Sequence, residues 1–322
     1  MSHRFIAASF AVAAVVVLVP VSVGGQAGDW SAPRTPWGDP DLQGLWTNTT
    51  TTPLERPDDV APGTVLSAEE RAAQDEATIV AHAARGTTPG TGDTGAYNNF
   101  WFGRGVRLPQ SSLIIDPPDG KLRLTPAEVD RRARRRASRR REPAGPEDRS
   151  LYERCITRGM PGSMMPGFYN HNYLIMQIPG FVAIYLEMIH DARIIPLDGR
   201  PHPDGRIKQW LGDSRGHFEG DTLVVETANF TPSTGRGMTV FGGKETTRLV
   251  ERFTRAGADT IDYQYTVTDP TEYMAPWTAS IPMTSLDGRL YEYACHEGNY
   301  GLENILAGAR ALEQAAAAEQ SR

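Results

Sequence analysis

Thr247-Arg248-Leu249-Val250-Glu251-Arg252-Phe253-Thr254 and Thr260-Ile261-Asp262-Tyr263-Gln264-Tyr265-Thr266-Val267-Thr268 are two runs rich in β-branched and aromatic residues, separated by Gly257-Ala258-Asp259. That is the composition of two strands joined by a turn. The same pattern extends outward in both directions. Tyr173 to Gln177, Val182 to Arg193, Leu223 to Asn229, Thr278 to Met283 and Leu290 to His296 also read as strands. Pro179-Gly180, Asp198-Gly199, Glu219-Gly220-Asp221 and Asp287-Gly288 supply turn chemistry between them. Mostly short connections without crossover helices imply an antiparallel meander, which closes most naturally into a barrel or a strongly curved sheet. The expected fold is mainly β. Leu302 to Gln314, with the Ala-rich tail after it, predicts a helix packed on the outside of the sheet or plugging one end.

Upstream of the strands the composition changes. Residues 28 to about 95 are rich in Pro, Thr, Gly and Asp, with one helical stretch from Ser67 to Ala84. Ser67 is placed to cap it, with Glu69 and Glu70 in the favourable first turn. A second helix starts where Thr125 caps and Pro126 takes the first helical position, and runs to about Arg141. It carries eight Arg between residues 131 and 141, which reads as a solvated helix with little aromatic interleaving. Pro143-Ala144-Gly145-Pro146 then breaks the chain. The expected organisation is a signal peptide over 1–27, an extended arm with helices over 28–146 lying on the core, and a barrel core with the terminal helix over 147–322.

The 322 residues, 39% apolar and 22% charged, are enough for a substantial core and exclude a disordered chain. A net charge of -6 argues against nucleic acid or an anionic membrane surface as partner of the whole surface. Met1-Ser2-His3-Arg4, an apolar stretch from Phe5 to Val23 and then Gly24-Gly25-Gln26-Ala27 follow the order of a secretory signal peptide. The expected location is periplasmic or secreted, with no stable membrane anchor after cleavage. Only Cys155 and Cys295 are present. In an oxidising compartment they are either a single disulfide or two separate buried thiols. A bridge would close a loop of about 140 residues and stabilise by roughly 4 to 5 kcal/mol in the chain-entropy model.

Four motifs, Trp37-Gly38-Asp39-Pro40-Asp41-Leu42-Gln43-Gly44-Leu45-Trp46, Glu187-Met188-Ile189-His190-Asp191-Ala192-Arg193, Gln209-Trp210-Leu211-Gly212-Asp213-Ser214-Arg215-Gly216 and Tyr293-Ala294-Cys295-His296-Glu297-Gly298-Asn299-Tyr300-Gly301, resemble a large family of exported bacterial proteins. The likeness spans nearly the whole mature chain. It implies the location and supplies no reaction. Gly44-Leu45-Trp46 ahead of a meander is also similar to the start of lipocalin-like barrels, a shorter likeness that implies a barrel with a ligand inside.

Chemistry-bearing residues concentrate in a few places. As one strand, Val182 to Arg193 would set Val182, Ile184, Leu186, Met188 and His190 against Tyr185, Glu187, Ile189, Asp191 and Arg193. A polar face turned inward makes Glu187, Asp191 and Arg193 a preformed site in the barrel. His296 is a candidate base at another strand end, and the most demanding expectation is that His171, His190 and His296 converge with Glu187. Tyr169, Asn170, His171 and Tyr173, with Arg193, Asp213 and Arg215, are candidates for gripping the polar end of a ligand. Gly212-Asp213-Ser214-Arg215-Gly216 formally matches a nucleophile elbow but lacks the helix after it, so it reads as a turn with Asp213 and Arg215 paired. No phosphate-binding loop, dinucleotide fingerprint or zinc spacing occurs, so no cofactor and no metal is expected. Two functions follow: an exported barrel binding a small, partly apolar molecule, or a cofactor-independent hydrolase, lyase or isomerase using His190 or His296 with Glu187 or Asp191.

Overall fold

The computed structural model describes residues 30–87, 103, 105–139, 141–167, 170–232 and 243–321. The expected signal peptide and Tyr169 lie outside the described residues. Ala32–Arg322 cluster as one compact unit.

Among the described residues eleven strands build one antiparallel sheet: β1 Gly44–Thr47, β2 Ile114–Asp116, β3 Asn172–Ile178, β4 Phe181–Leu186, β5 Ala192–Pro196, β6 Asp213–Glu219, β7 Thr222–Ala228, β8 Arg248–Gly257, β9 Thr260–Thr268, β10 Trp277–Ser280 and β11 Met283–Ser285. Three α-helices accompany them among the described residues: α1 Ala68–Thr87, α2 Pro126–Arg139 and α3 Tyr300–Gln320. The strand order is β5-β4-β3-β1-β11-β9-β8-β7-β6, with β10 paired to β9 and β2. Its two ends approach each other. Arg193 on β5 reaches Ser214 on β6 at 3.3 Å, and a Cβ on Gly216 would lie 2.8 Å from Ile195 and Leu197 side chains. The sheet is a nearly closed barrel, as the meander predicts.

Alternation explains which residues fill it. On β9, Ile261, Tyr263, Tyr265 and Val267 are buried while the residues between them are half-buried. Leu249, Glu251 and Phe253 on β8, Val182, Ile184 and Leu186 on β4, and Tyr173, Ile175 and Gln177 on β3 are buried likewise. Trp46 and Trp277 are nearly fully enclosed. Phe253 stacks on Tyr263 at 4.6 Å and Tyr265 meets Trp277 edge-on at 5.6 Å. The barrel is thus filled by side chains.

Four sequence expectations are corrected. Val182 to Arg193 is not one strand: β4 ends at Leu186, the chain turns through Glu187–Asp191, and β5 runs back beside β4 with Ile184 opposite Arg193. Ile189 (φ 64) and His190 (φ 50) take left-handed backbone in this turn, closed by the Leu186 amide donating to the Asp191 carbonyl at 2.9 Å. The reversal puts Arg193 on the inner face with Ile184, not on a face with Glu187. Gly212 to Gly216 is not simply a turn, because β6 begins at Asp213; Gly216 tolerates the close approach of Ile195 and Leu197 that any side chain would block. Leu290 to His296 is not a strand, and the segment pairs with no strand of the sheet. The arm over 28–146 does not merely lie on the core: β1 sits between β3 and β11, and β2 extends β10. Trp46 fills the interior, its indole N–H donating to the Leu42 carbonyl at 3.0 Å.

The helices start where their caps say. Ser67 and Glu70 form a reciprocal capping box, each side chain accepting from the other's amide at 3.1 and 2.7 Å. On α2, Glu128 is buried and held by Arg131, Arg132, Arg135 and Lys244. Part of the Arg run therefore neutralises one buried carboxylate.

Candidate functional site

Thr47, Asn172 and Thr284 lie in one row across β3, β1 and β11. Trp46 and Tyr173, their neighbours in sequence, point inward, so the row faces the outside of the barrel. This row floors an open cleft of about 1070 Å3. Its far wall is the irregular segment Tyr291–Asn299, fastened by the Cys155–Cys295 disulfide. Tyr152, Tyr291 and Tyr293 supply aromatic surface, and Val106, Leu108, Pro282 and Leu286 supply apolar surface.

Glu187 sits at the base of the cleft, 1% exposed. Its carboxylate accepts from Asn170 Nδ2 at 3.1 Å, Asn172 Nδ2 at 2.5 Å and the Tyr291 amide at 3.1 Å. The turn after β4 places it, with its own amide donating to the Asn172 carbonyl at 3.0 Å. His171 lines the same cleft. Burial, then the neighbouring Arg158 charge, push its imidazole down to about 3 against a hydrogen bond with the Met165 backbone. It is neutral, and Arg158 Nη1 lies 2.6 Å from its Nε2. Arg158 also sits over the Tyr152 ring at 5.2 Å.

The other sequence candidates go elsewhere. Tyr173 is in the core, its hydroxyl donating to Asn48 Oδ1 at 3.2 Å and near the Ser163 carbonyl at 3.3 Å. Arg193 is buried in the barrel against Glu251, with Nη1 donating to Oε1 at 2.9 Å and Nη2 to the other oxygen. Tyr263 donates to the same carboxylate at 2.9 Å. Burial disfavours a charged guanidinium there, but the Glu251 carboxylate holds Arg193 above its ordinary range. Ser214 shares a hydrogen bond of 2.9 Å with Thr227 in this network, which suits a structural hydroxyl and not a nucleophile. Asp213 and Arg215 pair bidentately at 2.8 and 2.9 Å, as the sequence suggests, and His202 Nδ1 joins Asp213 at 2.7 Å. Arg193, Asp213 and Ser214 line a second, smaller hollow of about 460 Å3 beside Trp210. It contains no residue of the first cleft.

Convergence of the three histidines with Glu187 is corrected. His190 Nδ1 donates to the Tyr293 carbonyl at 2.9 Å, His296 is exposed, and neither lines the cleft. Among the described residues no hydrogen bond or ion pair joins His171, His190 or His296 to Glu187 or Asp191, and no group of three or more His, Cys, Asp or Glu could hold a metal ion. Asp191 accepts from Thr157 Oγ1 at 3.2 Å, and burial pushes its carboxyl upward. Sequence reasoning held Asn172 only as part of the Tyr169–Tyr173 run, and it missed Tyr291 and the Thr47–Thr284 row. Asn172 had a signal, since it lies two residues from Asn170 across His171; the row is set by strand pairing distant in sequence.

Comparisons with protein-family models, with curated proteins and with solved structures give no match for the chain.

Proposed function

We propose that the protein is an exported member of the bacterial family its motifs resemble, and that it binds a small, partly apolar molecule in the outer cleft. The observation that carries this reading is a cleft of about 1070 Å3 with a polar base of Asn170, Asn172 and Glu187 and apolar and aromatic sides. Ligand sites typically occupy roughly 300 to 1,000 Å3 with a few convergent polar groups. The barrel interior is a poor alternative, because it is filled by aromatic side chains and the Arg193–Glu251 pair. The enzyme reading has less support: the neutral His171 ring is spent on Arg158, and His190 on a backbone carbonyl.

Thr284 is exposed on the cleft floor, so Thr284→Trp fills the cleft without disturbing the core. Native mass spectrometry of the secreted protein is expected to show an organic molecule bound to the wild type and absent from Thr284→Trp. Equal retention by both would remove the cleft from consideration. The same sample is expected to begin near residue 28.

A further inference from the structure

We infer that the ligand of this cleft is an organic cation, an ammonium or similar group carried on an apolar or aromatic body. The inference rests on the binding reading above and adds the charge of the ligand. Three observations carry it.

The first is Glu187. It is buried, it lines the cleft, and its three partners are two neutral side-chain amides and one backbone amide. Among the described residues it has no ion pair. The amides donate hydrogen bonds to the carboxylate but add no positive charge. A buried carboxylate without a counter-charge is costly, and a cation entering the cleft would supply one.

The second is the sign of the lining. Its ionisable groups are Glu153, Glu187, Glu292, His171 and tyrosine phenols, with no Lys or Arg among the described lining residues. His171 is neutral for the reason already given. Glu153 is balanced by Arg149, while Glu292 is exposed at the rim. Arg158 stands behind the wall, bonded to His171 and seated on Tyr152. The described lining thus carries carboxylates and no cationic side chain, and clefts lined by one sign of charge favour a ligand of the other.

The third is the aromatic content. Tyr152, Tyr291 and Tyr293 line the opening, and a tyrosine face attracts a cation within about 6 Å of its centroid. Tyr152 already carries the Arg158 guanidinium over its ring at 5.2 Å, so the ring a ligand cation would meet is that of the exposed Tyr291.

The test uses matched probes of one shape: benzyltrimethylammonium, its uncharged carbon isostere neopentylbenzene, and phenylacetate as an anion of similar size. Each is titrated into the full mature protein, with heteronuclear NMR shifts reporting where it binds. The cation is expected to bind in the cleft at least about ten-fold more tightly than the isostere and to lose most of that margin in Glu187→Gln. Glu292→Gln, an exposed position where folding is not at issue, should weaken the cation about two-fold and leave the isostere unchanged. Equal or tighter binding of the isostere or of phenylacetate in the cleft would overturn the cationic ligand and leave the binding site standing. No shift in the cleft with any of the three would count against both the charge and the site.

Discussion

Arg193 shows how far one residue's role depends on its partners. A strand read as continuous puts it beside Glu187; the turn at Glu187–Asp191 puts it inside the barrel against Glu251. Removing one partner of a buried pair leaves the other charge uncompensated, at a typical cost of about 3 to 5 kcal/mol. Arg193→Met should lower urea stability by that order, and adding Glu251→Gln should recover part of it while preserving an acceptor for Tyr263. Ligand binding in the outer cleft should be unaffected by either. His171 makes a second prediction. Its imidazole is held down to about 3 by burial and Arg158, whereas an unfolded His takes a proton near 6.5. Between those values the unfolded state binds more protons, so the contribution is complete above about pH 6.5 and is lost as pH falls toward 3, approaching about 1.4 kcal/mol per pH unit. Asp191, pushed up by burial, has the opposite slope and serves as a control through Asp191→Asn. Unfolding measured between pH 6.5 and 5, where most carboxylates stay ionised, should give a shallower decline for His171→Gln than for the wild type.

Elements were legible where local chemistry decides them. Ser67 and Thr125 cap the helices the sequence places there, and the turn at Gly220 (φ +60) joins β6 to β7 with a conformation glycine adopts without strain. Leu290–His296 was not legible as what it is. Its β-rich composition is that of a strand, yet it pairs with none of the described strands. It is held instead by the Glu187 carboxylate, the His190 ring and Cys155. The disulfide closes a separation of 140 residues, and the chain-entropy model gives roughly 4 to 5 kcal/mol for a loop of that length. The double variant Cys155→Ser/Cys295→Ser should lose stability of that order in denaturant titration. It should also bind ligand several-fold more weakly, because the far wall of the cleft loses its covalent tie. Unchanged binding in the folded double variant would mean that the segment's hydrogen bonds hold the wall unaided.

At the scale of the molecule, the placement of β1 decides most. Only four residues long, it lies between β3 and β11 and contributes both Trp46 to the interior and Thr47 to the cleft floor. Residues 147–322 expressed alone should therefore show no cooperative unfolding and poorly dispersed NMR spectra. A cooperatively folded fragment would restore the view of residues 28–146 as an arm upon an independent core. The sequence by itself determined that the chain is mainly β, that its strands pair antiparallel and where its helices begin, because alternation, turn residues and caps act over a few neighbouring positions. Only the tertiary structure decided that the barrel is filled, that Glu187 and Arg193 part company, and that the cleft lies outside the sheet. Those outcomes depend on which distant strands pair and where the chain reverses, and a reversal at one turn changes the face that every later side chain presents.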